Sequence, residues 1–136
     1  MKLLLFYAHK WWFRTASKGL PDVPDVNMED SMDNAVVVFF HAEKEDEEKG
    51  KGVLDKFVKN TKWLAGKFGT KNVVLHSFNH LSSSKASPEF SEQMLKQVTE
   101  RLENAGYTVM FTPFGYFNEF DIHVGGESLA KVFKEF

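Results

Sequence analysis

The chain has 136 residues, no cysteine, and 17 basic against 19 acidic side chains for a net charge of -2. That length makes one domain able to bury most of its apolar surface, and the missing cysteines exclude a disulfide scaffold, thiolate metal sites and a thiol nucleophile while fitting a reducing, cytoplasmic location. The charge balance argues against a broad, non-specific nucleic-acid binder and leaves room for a narrow RNA contact.

Residues 2–8 read as a first strand, with an apolar run too short for a signal segment or a membrane span. Lys10, Trp11, Trp12, Phe13 and Arg14 then interleave cations and aromatics, a pattern that suits RNA stacking but is read here as interface or packing. Residues 16–33 carry Gly19, Pro21, Pro24 and a run of acids, which predicts a long exposed loop. The continuous apolar run at 34–41 predicts a strand buried on both faces. The charge block 43–52 reads as a solvated turn or helix entrance. Residues 53–68 follow helical spacing up to a stop at Gly69, and 72–76 read as a short strand. Ser87, Pro88 and Glu89 open a second helix that Gly106 ends, with Phe90, Met94, Leu95, Val98, Leu102 and Ala105 as its buried stripe. Residues 107–112 and 120–124 complete the strands, and Gly125-Gly126 turn into a short helix over 128–134. The expected fold is a single α/β domain in the order ββαβαββα, with at least one parallel crossover.

Two segments carry the chemistry. SFNHLSS (77–83) and PFGYFNEF (113–120) each follow a strand-like run and read as two walls of one pocket. The first supplies Asn79, His80, Ser82 and Ser83 at a strand end, and the second supplies aromatics around Gly115, where backbone comes close to a ligand. Taken alone, His80 reads more readily as a structural histidine tying down a turn. Five histidines invite a metal, but their spacing matches no ligand signature, so none is expected.

The strand, the His-Leu-Ser-Ser turn, the following helix and then Pro-Phe-Gly-Tyr-aromatic resemble the archaeal N-terminal editing domain of threonyl-tRNA synthetase, a relative of the D-aminoacyl-tRNA deacylases. The resemblance covers most of the chain and implies a D-aminoacyl-tRNA deacylase-like sheet with packed helices. It implies hydrolysis of serine wrongly attached to threonine tRNA, without a cofactor. The implied setting is a homodimer working beside a catalytic threonyl-tRNA synthetase module, in cis or in trans, away from membranes. A D-aminoacyl-tRNA deacylase and a non-catalytic tRNA-binding domain are the competing readings.

Residue by residue, the resemblance places the pocket histidine at His80 and lines the pocket with Phe114, Tyr116 and Phe117, Phe117 standing where a second tyrosine is frequent. Ala42, Ser77 and Asn79 fall at strand ends suited to reading the aminoacyl group. Asn118 stands where the family usually carries a lysine, and Lys131 where it usually carries a glutamate. The expected catalytic set is therefore Lys131, His80 and Asn118, with the ammonium moved from one pocket wall to the other. The plain alternative makes Lys131 an ordinary cation near a helix C-terminus.

Overall fold

A computed structural model describes residues 1–136. Its sheet is built around a long antiparallel pair, β1 (Lys2–Lys18) and β2 (Glu29–His41), in one register from Lys2 opposite His41 to Arg14 opposite Glu29. Strand β3 (Asn72–Ser77) lies parallel to β2, and β4 (Thr108–Phe111) parallel to β3. The crossovers are α-helical: a short α1 (Asp46–Lys49) leads into α2 (Lys51–Phe68), and α3 (Pro88–Asn104) joins β3 to β4. Gly69 ends α2 in the left-handed conformation at φ 63°, and Ser87 caps α3 by accepting a hydrogen bond from the Phe90 N–H.

The other edge of β1 is shared by two strands. Strand β5 (Tyr116–Val124) runs antiparallel along its second half, and β6 (Lys131–Glu135) along its first. The helix predicted over 128–134 is instead one 3-10 turn, Ser128–Ala130, followed by β6. The free edge of β1 offers unpaired N–H and C=O groups, and pairing them outweighs any local helical preference. The observed order is thus ββααβαβββ.

Both of the first two strands are longer than their sequence signals, so the connecting loop shrinks to residues 19–28. They bend together at His9 and Asn34, between the pairs Ala8–Ala35 and Lys10–Asp33. Asn34 adopts φ 49°, its side-chain oxygen accepts from the Tyr7 hydroxyl at 3.2 Å, and its carbonyl accepts from Thr70 Oγ1 at 2.5 Å. A bulge in the β1–β5 register falls at the same place. Past this corner the inward-facing parity of β1 switches from Leu4, Phe6 and Ala8 to Trp11 and Phe13, and the outer half of the ribbon folds back over the sheet.

Each face of the sheet therefore has its own core. Leu3, Leu5, Val36, Val38, Phe40, Val73 and Leu75 pack under Phe57 and Leu64 of α2 and Met94, Val98 and Leu102 of α3. The alternate residues Ala35, Val37, Phe39 and Val74 pack against Trp11 and Phe13 of the folded-back layer. This resolves the Lys10–Arg14 stretch: Trp11 and Phe13 are fully buried, Trp12 is half-buried and Arg14 is exposed. The charge block is the exposed helix entrance expected, except at two acids that point inward. Glu43 and the buried Asp46 accept hydrogen bonds from the Met1 ammonium at 2.7 and 2.9 Å.

Candidate active site

The first wall is held by a histidine that sequence analysis did not place there. His41, at the end of β2, accepts the Leu81 N–H on Nδ1 at 3.1 Å, so its hydrogen sits on Nε2 and donates to the Ser84 carbonyl at 2.7 Å. With both nitrogens committed, the turn carrying His80 is fixed against β2. Ser82 Oγ donates to Glu43 Oε2 at 2.7 Å. Burial raises the Glu43 carboxyl, but hydrogen bonds from the Met1 ammonium, Ser82 and Lys2 outweigh it and bring it down to about 2.

Between this turn and the folded-back layer lies a floor of rings. Phe39 meets Phe6 at 5.4 Å, Phe78 at 5.0 Å and Phe120 at 5.5 Å between centroids. His76 sits among Trp11, Phe39, Phe78 and Phe120, with Nδ1 2.9 Å from Thr112 Oγ1. Burial pushes its imidazole down to about 4, so it is neutral in neutral solution. The floor opens outward, for Phe120 is 38% exposed and His80 is exposed.

Three expected groups surround this floor. The His80 ring meets the edge of Phe78 at 4.9 Å. Asn118 lies two residues from Phe120 on the same face of β5. Its amide N–H donates to the Tyr116 carbonyl at 3.3 Å, while its Oδ1 is buried without a partner. Lys131 stands opposite Phe6 in the β1–β6 pair and so shares the face of that ring. It is exposed, caps the C-terminus of the Ser128–Ala130 turn and opens β6, and its ammonium lies 3.5 Å from the Glu127 carbonyl, a position that the plain alternative of a cation at a helix end also fits. Asn118 and Lys131 thus approach from opposite sides of the floor, at the Thr15 and Phe6 positions of β1.

The remaining expected residues lie elsewhere. The Tyr116 hydroxyl is occupied by the Val26 N–H at 2.7 Å and the Pro24 carbonyl at 3.1 Å, which clasps the 19–28 loop. Gly115, at φ 83°, belongs to the same clasp: a Cβ there would meet Val23 Cγ1 at 2.6 Å. Phe117 is 63% exposed beside Gly19, and Phe114 packs on the helix-side core. Ala42 is buried, with its carbonyl accepting from Ala86 N–H at 3.0 Å. Ser77 is half-buried where β3 ends, and Asn79 is exposed in the His80 turn. Sequence analysis missed the floor itself, Phe6, Phe39, His76, Phe78 and Phe120. The alternation Val74, His76, Phe78 was the available signal. A groove of about 640 Å³ between the helices, lined by Leu54, Phe90 and Met94 among others, touches none of these residues.

The profile of the archaea-specific editing domain of threonyl-tRNA synthetase matches residues 1–136. The chain belongs to this family. Among curated relatives, the threonine-tRNA ligase of Hyperthermus butylicus is 31% identical over 142 residues, covering 100% of this chain and 23% of the ligase. That of Pyrococcus horikoshii is 31% identical over 135 residues, covering 97% and 22%. The editing domain described here therefore spans less than a quarter of the relatives it matches. Among solved structures, one titled c-Myc DNA Unwinding Element Binding Protein superposes with a TM-score of 0.71 over 99% of this chain and 98% of that one, at 13% identity, which is a likeness of fold alone. The fold is the expected single α/β domain, with a curled mixed sheet and helices packed on one face. No helix is long and apolar enough to cross a membrane.

Proposed function

We propose that this editing domain hydrolyses the ester linking serine to the 3′ end of threonine tRNA. The observation that carries the proposal is the aromatic floor with His80, Asn118 and Lys131 around it, in a chain that belongs to the editing family. The need is physical. Serine and threonine differ by one methyl, worth only about 1–3 kcal/mol to a synthetase pocket, so a second, hydrolytic site is required for high fidelity.

In the proposed reaction the oxygen of a water molecule bonds to the ester carbonyl carbon, the bond to the ribose oxygen breaks, and a proton passes to that leaving hydroxyl. Lys131 supplies the positive charge that stabilises the oxyanion. The unpartnered Asn118 Oδ1 accepts a hydrogen from the water or from the substrate, and His80 orients the ester. The RNA 2′-hydroxyl helps to hold the water. The additional methyl of threonine displaces that water, which spares the correct product. The proposed setting is a homodimer beside a catalytic synthetase module, in cis or in trans.

The test is deacylation of L-seryl- and L-threonyl-tRNA specific for threonine by the unmodified domain, Lys131→Ala and Asn118→Ala. Loss of serine with threonine retained, at least tenfold slower in Lys131→Ala, supports the proposal. Full activity in Lys131→Ala removes that lysine from the mechanism, and preference for a D-seryl ester reassigns the domain as a D-aminoacyl-tRNA deacylase. Binding without turnover leaves the non-catalytic reading.

A further inference from the structure

Helix α2 carries five lysines, the exposed Lys51, Lys56, Lys59 and Lys67 and the half-buried Lys62, against one carboxylate, Asp55, and Asp55 is taken by Arg101 of α3 at 2.6 Å. None of the five lysines enters an ion pair. Lys56, Lys59, Trp63 and Lys67 are spaced three, four and four residues apart, which aligns them on one stripe of the helix, roughly 16 Å long at 1.5 Å per residue. Trp63 in that stripe is 38% exposed. The neighbouring α3 is different: its outer face mixes Glu89, Glu92, Glu100 and Glu103 with Lys96 and Arg101. Like charges three or four residues apart weaken a helix unless something offsets them, so an outer face left with only uncompensated cations points to an external anion.

The stripe continues toward the candidate site. The Lys134 ammonium of β6 lies 5.1 Å from the Trp63 ring, and Lys56 lies 5.9 Å from the Phe136 ring. Strand β6 pairs only with β1 and is therefore an edge, and Lys131 and Lys134 point to its two faces. Cations run from α2 to Lys134 and around the edge to Lys131 beside the floor.

We infer that the α2 stripe, with Trp63 and Lys134, is a docking surface for the phosphate backbone of an RNA helix whose single-stranded 3′ end reaches the floor past Lys131. The choice of RNA as the polyanion rests on the editing reading, and the stripe resolves how a chain of net charge -2 holds a nucleic acid: its charge is segregated, with the acids concentrated in residues 22–33 and 43–48. The lysines act as point charges on phosphates, so they position the RNA without reading its sequence.

The probe is a short RNA hairpin ending in single-stranded CCA, with its dissociation constant measured from 50 to 200 mM salt. The triple variant Lys56→Gln, Lys59→Gln, Lys67→Gln is expected to bind at least tenfold more weakly at 100 mM salt and to lower the slope of log K against log salt by about three, while the arginine triple keeps the slope. Unchanged circular dichroism and unchanged hydrolysis of seryl-adenosine, which has no helix to dock, show that the glutamine variant is folded. An unchanged slope overturns the inference, as does competition by polyglutamate equal to that by the hairpin, which would assign the stripe to an acidic protein. If the unmodified domain cleaves no ester but the triple variant still loses the slope, the editing chemistry fails and the docking surface stands.

Discussion

The imidazole of His76 lies 2.9 Å from the hydroxyl of Thr112, a buried pair that ties β3 to the residue that follows β4 and anchors one ring of the aromatic floor. Burial holds His76 at about 4, against an ordinary value of 6.5. The unfolded chain takes up a proton at His76 as pH falls through 6.5, whereas the folded chain does so only near 4. Stability from this group is therefore complete above 6.5 and is lost as pH falls toward 4, by at most about 3 kcal/mol. Chemical denaturation of the domain between pH 7 and 4 should show that slope, and His76→Phe should flatten it. An unaltered slope in the variant would assign the effect to another group.

A second acid window belongs to Glu43. Its folded value near 2 lies below the ordinary 4.5, so its contribution is present above 4.5 and disappears as pH falls toward 2. Glu43→Gln removes the charged acceptor of the Met1 ammonium, Lys2 and Ser82 and is expected to cost about 1–3 kcal/mol at pH 7. Melting curves at pH 7 and pH 3 check it, because the difference between wild type and variant should shrink at the lower pH.

Trp11 is fully buried, yet its indole N–H has no hydrogen-bond partner. Trp11→Phe deletes that orphan donor along with some volume, so the two effects offset and the change should stay within about 1 kcal/mol. Trp11→Ala, which also removes the ring stacked on Phe120 at 5.2 Å, should cost about 3–5 kcal/mol. Urea midpoints of the two variants separate them. Equal losses would mean that the N–H is satisfied in solution.

Asn118→Lys offers the converse of the lysine deletion. It adds an ammonium on the β5 side of the floor, opposite Lys131. In a Lys131→Ala background it should restore seryl-tRNA hydrolysis by tenfold or more, since only one positive charge is required near the carbonyl. No recovery would mean that the two positions do not serve the same atoms.

Much of the fold was legible because its signals are local. The unbroken apolar run at 34–41 announced a strand covered on both faces, and Ser87-Pro88-Glu89 announced the start of α3, each from residues within one turn of one another. The 128–134 stretch misled for the opposite reason. Its strand exists only because β1 leaves an edge open more than a hundred residues earlier in the chain. The site divided in the same way. His80 and Asn118 sit in recognisable motifs, whereas His41 entered it through a hydrogen bond to Leu81, 40 residues away.

Composition and periodicity were enough to predict one α/β domain, and the resemblance of two short motifs pointed to the editing family that the profile match shows, because burial patterns, caps and motifs are written in neighbouring residues. The bend at His9 and Asn34 was decided only in three dimensions. It folds half of β1 over the sheet, brings Phe120 onto Phe39 and His76, and sets Asn118 and Lys131 on opposite sides of one floor. Such contacts depend on pairing energies summed over distant strands, and no local window of sequence contains them.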